Sequence, residues 1–303
     1  MLQLEHVNKF YSTGLFPKKI PAIQDLSLEI NKGEVFAFLG PNGAGKTTTI
    51  KLILSIIFPD SGKITIGGIS HTDKNSRRKI GYLPDQPYFY DYLNAREYLT
   101  FTAQLYNLPH SDTKRRIPEL LNLVGLEGKK ELQLRKFSRG MLQRLGLAQA
   151  LIHDPELLIL DEPMTGLDPV GRKKFRDIIL SLKEKGKTIF FSSHILSDAE
   201  IISDRIGILN KGRLVRQASL SELLDIKVDS VEITCRWRER IPNTRTGISW
   251  TKIDHDHQSV LIAKNEATAE EAIQWILKNR GQILSVTPHR RGLEDIFMEE
   301  LKN

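Results

Sequence analysis

A single cysteine in 303 residues, Cys235, leaves no material for a disulfide framework. Long apolar runs are missing as well. The densest, "LILSIIF" at 52 to 58 and "LLIL" at 157 to 160, fall far short of the roughly 20 residues that span a bilayer, so the chain itself is not expected to cross a membrane. Its start, "MLQLEHVNKF", has neither the basic leader nor the apolar stretch of a secretion signal. These absences point to the cytoplasm. No zinc-finger spacing, aromatic RNA-binding strand motif or basic repeat is present, and composition gives nucleic-acid binding little support.

What is there, 40% apolar and 27% charged residues, suffices for one large or two moderate cores. The net charge of +7 fits nucleic acid, anionic lipid or a small anionic ligand. Its clusters "RRK" (77 to 79) and "KRR" (114 to 116) are short and scattered, and they read best as solvated faces.

Three apolar runs end in chemistry. After "VFAFL" comes "GPNGAGKTTTIKLIL", where Gly40, Gly45, Lys46 and Thr47 fit the phosphate-loop pattern G-x-x-x-x-G-K-[ST] without a mismatch. Gly40, Gly43 and Gly45 let successive backbone N–H groups turn inward around phosphates below a helix N-terminus, with Pro41, Asn42, Ala44 and Thr48 completing the loop. Lys46 adds a point charge at the β- and γ-phosphates, and the Thr47 hydroxyl suits Mg2+. The second run, "LLIL", leads into Asp161 and Glu162. Adjacent carboxylates need compensation; Mg2+ held by Asp161 would leave Glu162 to orient and deprotonate a water. The third, "TIFF", leads into Ser192, Ser193 and His194. Ligands of doubly wound sheets collect beyond the carboxyl ends of strands, so all three ends should meet at one nucleotide, with His194 near the γ-phosphate.

The stretch "RKFSRGMLQR" (135 to 144) reads as a helix start with Ser138 as N-cap and apolar residues at helical spacing behind it. The same residues, Ser138 and Gly140 at a helix N-terminus, also suit an approaching phosphate. Beside a phosphate loop, Glu162 and His194, the anion site becomes the favoured reading.

Set in order, these pieces make residues 1 to 225 resemble the ATP-binding subunit of an ATP-binding-cassette (ABC) transporter. "GPNGAGKT" is similar to the family's Walker A, "LLILDEP" to its Walker B, "TGLDP" to its D-loop, "SSH" to its His switch and "KFSRGMLQRL" to its signature. Tyr11 in "VNKFY" matches the aromatic that stacks on adenine, although an isolated tyrosine also serves packing. The resemblance implies an α/β P-loop ATPase core with an antiparallel β region and a helical subdomain, and cofactors ATP and Mg2+. It implies Glu162, His194 and Lys46 in catalysis, and two copies, or a paired ATPase subunit, enclosing ATP between one chain's Walker motifs and the other's Ser138 and Gly140. It further implies separate integral membrane permease subunits, a place on the cytoplasmic face of the membrane, and no nucleic-acid partner; the alternative is a soluble ABC ATPase acting on nucleic acid or ribosomes. The aromatics of "YLPDQPYFYDYLNAREYLTFTAQLY" (82 to 106) fall where the family meets its permease, with core packing an equal role for about half of them.

Two departures stand out. Asp85 occupies the place of the Q-loop glutamine, with Gln86 one residue later, which leaves open which of them faces Mg2+. Arg139 stands where many relatives have glycine, a feature of the exporter-associated subfamily.

Beyond the apparent hairpin "IGILNKGRLV" and the helix-like "SLSELLDI", the pattern changes. "SVEITCRW", "SVLIAK" and "QILSVTP" read as strands, and "TAEEAIQWILKNRG" as a helix with a threonine cap and a glycine stop. A small C-terminal α+β domain over 228 to 303, of ferredoxin-like type, is the expectation. "RRGLEDIFMEEL" resembles the terminal helix of the exporter-associated subfamily, and His255 and His257 in "DHDHQ" read as a polar loop before a metal site.

Overall fold

The computed structural model describes residues 1–13, 18–223, 228–237, 249–253, 258–290 and 292–302. Among them the chain forms two compact units, Met1–Leu220 with Glu300–Asn303, and Ser221–Glu299. The division falls a few residues before that read from the sequence, and the last four residues group with the first unit, where Glu300 pairs with Arg216 at 3.3 Å.

The first unit opens with β1 (Leu2–Thr13) and β2 (Lys18–Ile30), then β3 (Val35–Leu39) and α1 (Lys46–Ile53). β4 (Ser61–Ile66), β5 (Ile69–Ser70) and α2 (Lys74–Arg78) lead to β6 (Ile80–Leu83). Three helices follow: α3 (Ala95–Leu105), α4 (His110–Leu123) and α5 (Arg139–Ala150). β7 (Leu157–Leu160), α6 (Pro169–Glu184), β8 (Thr188–Ser193), α7 (Leu196–Ile202) and the hairpin β9 (Arg205–Asn210) and β10 (Arg213–Ser219) complete the run, and α8 (Leu220–Leu223) falls where the two units divide.

Two sheets share this unit's core. One is antiparallel, in the order β2-β1-β4-β5; the other runs β10-β9-β3-β8-β7-β6, parallel throughout except for its β10 edge. Every residue of β3, β7 and β8 is buried, as continuous apolar runs require when both faces of a parallel strand are covered. Phe36, Phe38 and Phe190 stack within the core, joined by Leu2, Leu4, Ile50 and Ile66 from the flanking elements. The hairpin turns through Lys211 and Gly212, both at positive φ (47° and 79°), the geometry of a tight primed turn that glycine tolerates at its second position.

The aromatic stretch divides as the sequence suggests. Phe89 and Tyr98 are buried edge to face, whereas Tyr88, Tyr90 and Tyr92 form an exposed ladder that touches Phe101 through Tyr90. Asn94 starts α3 with a reciprocal box, its side chain accepting from the Glu97 amide and Glu97 accepting from the Asn94 amide, both at 2.9 Å.

The second unit holds β11 (Val228–Arg236), β12 (Ser249–Ile253), β13 (Gln258–Ala263), α9 (Glu266–Lys278), β14 (Gln282–Arg290) and most of α10 (Leu293–Lys302). Its antiparallel sheet runs β12-β13-β11-β14, the strand order of a split βαβ arrangement. Val231, Ile233, Leu261 and Trp237 bury against Ala269, Ala272 and Ile276 of α9, and Cys235, in the same core, has its thiol pushed up to about 11 by burial. The cap of α9 is Asn265, which accepts from the Thr268 amide at 2.8 Å; the helix starts one turn earlier than a threonine cap would place it, because Asn265 is the stronger cap residue. His255 and His257 lie outside the described residues.

Candidate functional site

The carboxyl ends of β3, β8, β7 and β6 meet on one side of the parallel sheet, and a cavity of about 700 Å³ opens there. Pro41, Asn42, Gly43, Gly45, Lys46, Thr47, Thr48, Asp85, Glu162 and His194 all line it. Four stretches far apart in sequence are thus brought together.

Gly45 sits at the N-terminus of α1 with φ 112°, and Gly43 has φ 81°, conformations that side chains resist. Gly40 is held for a different reason. A Cβ there would lie 2.5 Å from the Leu209 carbonyl oxygen and 3.1 Å from the Ala44 side chain. The Lys46 side chain is 7% exposed, and its ammonium donates to the carbonyls of Gly40 (2.7 Å) and Pro41 (3.3 Å) while pairing with Glu162 Oε1 at 3.1 Å.

Asp161 and Glu162 take opposite settings. Asp161 is 2% exposed and accepts from Ser192 Oγ (2.7 Å) and Thr47 Oγ1 (3.4 Å). Burial pushes its carboxyl above the ordinary range against those two hydrogen bonds, and the charges of Glu162 and Asp85 add to the effect. Burial next to Asp161 and Asp85 likewise pushes the Tyr82 phenol up to about 12. Glu162 reaches into the cavity from a left-handed backbone position, φ 47°. Its Oε2 meets Thr165 Oγ1 at 3.0 Å and His194 Nδ1 at 2.7 Å, and its amide donates to Ser192 Oγ at 2.9 Å. One serine therefore spaces both carboxylates.

The donor set fits a divalent cation. Asp161 is a buried carboxylate short of positive charge, the Thr47 hydroxyl touches it, and Asp85 Oδ1 is buried with no hydrogen-bond partner among the described residues. Of the two Q-loop candidates, Asp85 lines the cavity and Gln86 is exposed.

Not every expected residue joins this cavity. Tyr11, 41% exposed on β1, does not line it; its cross-strand partner Ile20 does, with Pro21, Ala22 and Gln24. The antiparallel register carries β2 past β1 at the cavity mouth, so the wall expected from the tyrosine is built by the facing strand. Ser138 caps α5, accepting from the Met141 amide at 3.3 Å, and with Gly140 it lies outside the cavity. Thr165, Gln24 and Lys211 reach the cavity, and Ser192 stands behind it, without having been singled out as ligands. Thr165 carried a legible signal, three residues beyond Glu162 in the turn after β7.

Comparison with known proteins finds the family that the sequence resembles. The family described as ABC transporter matches residues 23–165. An ABC transporter ATP-binding protein of Nostoc sp., all4389, is 42% identical over 98% of this chain and 88% of its own length. The linearmycin resistance ATP-binding protein LnrL of Bacillus subtilis is 38% identical over 74% of this chain and 70% of its own. A dimeric structure of the ATP-binding cassette MJ0796, in a post-hydrolysis state bound to ADP and Pi, superimposes with a TM-score of 0.65 at 28% identity, covering 73% of this chain and 99% of that one. The chain belongs to the ATP-binding proteins of ABC transporters, and it is an ATPase of that family.

Proposed function

We propose that this chain is the ATP-hydrolysing subunit of an export-type ABC transporter, working as a pair of ATPase subunits on the cytoplasmic face of separate membrane permeases. The observation that carries the reading is the convergence of Lys46, Glu162 and His194 on one strand-end cavity, with Ser138 and Gly140 presented elsewhere on the surface. In this reading the phosphate loop and Lys46 hold the β- and γ-phosphates. Their negative charge competes with Glu162 for the Lys46 ammonium, and so frees Oε1 to accept a proton from the attacking water. His194 keeps the other oxygen fixed meanwhile. Thr47, Asp161 and Asp85 would hold Mg2+, which when bound neutralises charge developing on the phosphoryl group. Ser138 and Gly140 would close over the partner's ATP, so the catalytic chamber is complete only in the pair.

Export is supported by the likeness to a resistance protein and by Arg139 in the signature. Attachment to a permease is supported by the exposed ladder of Tyr88, Tyr90 and Tyr92, next to an apolar groove of about 680 Å³ between α3 and α4 that Phe101 shares. No helix among the described residues is long and apolar enough to cross a membrane.

The Glu162→Gln variant tests the reading. It should bind ATP, pair in its presence, lose turnover and co-purify with a multi-span membrane protein. Unchanged single-turnover hydrolysis refutes the role of Glu162, and purification with nucleic acid or ribosomes in place of a membrane protein refutes the transport assignment.

A further inference from the structure

The signature and the catalytic carboxylate of the same chain are joined by a short relay. Gly166, with φ 73°, lies directly beneath the Arg139 side chain: a Cβ on Gly166 would be 2.5 Å from both the guanidinium carbon and Nη1, and 2.9 Å from Nε. Next to it, Leu167 covers Gly140, with its Cδ2 3.6 Å from where a Cβ would stand. The other end of the same turn is Thr165, whose amide donates to the Glu162 carbonyl at 3.1 Å and whose hydroxyl donates to Glu162 Oε2 at 3.0 Å. Residues 165–167 thus lie between the start of α5 and Glu162. Arg139 itself is exposed, and among the described residues it has no hydrogen bond or ion pair, so its planar cation is seated on glycine without an acceptor.

We propose that Arg139 is a positioning residue that makes hydrolysis in its own chain depend on nucleotide held by the partner. Seated on Gly166, it holds the turn so that Thr165 keeps Glu162 in one orientation. When ATP on the partner reaches residues 138–140, its phosphates offer the acceptor that Arg139 lacks among the described residues. The guanidinium leaves Gly166, the turn relaxes, and Thr165 changes its hold on Glu162. The inference rests on the proposed ATP sandwich, but it adds a route by which one site reports to the other.

The test uses the full chain and reads ATP hydrolysis against ATP concentration. The unsubstituted chain should give a Hill coefficient approaching two, the number of sites in the pair. Arg139→Ala should lower it to about one, because the turn is then relaxed whether or not the second site is filled. Arg139→Lys keeps the charge without the flat group that covers Gly166, and it should also lose cooperativity. Each substitution is repeated with Glu162→Gln, and ATP-driven pairing is followed by sedimentation. Pairing retained with cooperativity lost supports the proposal. An unchanged Hill coefficient in Arg139→Ala overturns it, as does a coefficient of one in the unsubstituted chain. Loss of pairing in Arg139→Ala/Glu162→Gln also overturns it, since Arg139 would then be a clamp. Failure of Glu162→Gln alone to pair overturns the sandwich reading itself.

Discussion

The phosphate loop and the start of α5 are both turns that lead into helices, and both combine small residues with one cation. They differ in how far their own chain completes them. Lys46 is buried with two carbonyls and a carboxylate around it, and Gly45 is fenced by the Ala22 carbonyl and the Ile23 side chain. Arg139 is exposed and has no acceptor among the described residues, and the space around Gly140 is open up to Leu167. A loop closed by its own chain is built to receive ligand as it stands. A helix end left open needs a second surface, and in the proposed pair the ATP of the other copy would supply one.

The contrast is broken most strongly at Glu162. Glu162→Gln keeps the shape of the loop side and removes its base, so turnover should fall by about 10²–10⁴-fold with ATP affinity retained, as measured by single-turnover hydrolysis and equilibrium binding. Gly40→Ala attacks the closed packing instead. With its new Cβ driven against the Leu209 carbonyl, stability should fall by about 1–3 kcal/mol in denaturant unfolding.

Asp161→Asn sharpens the comparison through charge. Because the folded-state pKa of Asp161 is raised, ionising it opposes folding; stability is fullest while the group is protonated and declines as pH rises through that raised value. Removing the charge should therefore raise the melting temperature of the ligand-free chain at neutral pH while abolishing Mg2+-dependent turnover. A lower or unchanged melting temperature would show that the buried carboxylate is compensated within the chain. Ser138→Ala should have the smallest effect on folding, about 1 kcal/mol for a lost cap. Its effect should show mainly as weaker ATP-driven pairing of the Glu162→Gln variant, measured by sedimentation.

The difference also explains what the sequence made legible. The phosphate loop could be read because its parts are consecutive, and Asp161, Glu162 and His194 because each ends an apolar strand. Ser192 was visible as a strand end, but its bridge between Asp161 and the Glu162 amide depends on β7 lying beside β8 in a particular register. Thr165 is legible by its place three residues beyond Glu162, whereas Gln24 and Lys211 arrive from the antiparallel sheet and the β9–β10 hairpin with no local pattern to announce them. Strand β12, "SWTKI", mixes polar and apolar residues and becomes recognisable only beside β13. The start of α9 is displaced because two cap residues stand three apart, and Asn265, the stronger of them, takes the cap in place of Thr268.

The hairpin tip has a consequence for the timing of nucleotide capture. The Gly212 amide donates to the Ala44 carbonyl, and the Gly212 carbonyl accepts from the Gln24 amide, both at 2.8 Å. One residue thereby stitches the phosphate loop to a strand of the other sheet. A loop fastened in this way has little disorder left to surrender when phosphates arrive, so encounter and capture can follow each other without a slow rearrangement. In the proposed pair, the waiting step of the cycle then moves away from the loop, to the meeting of two chains.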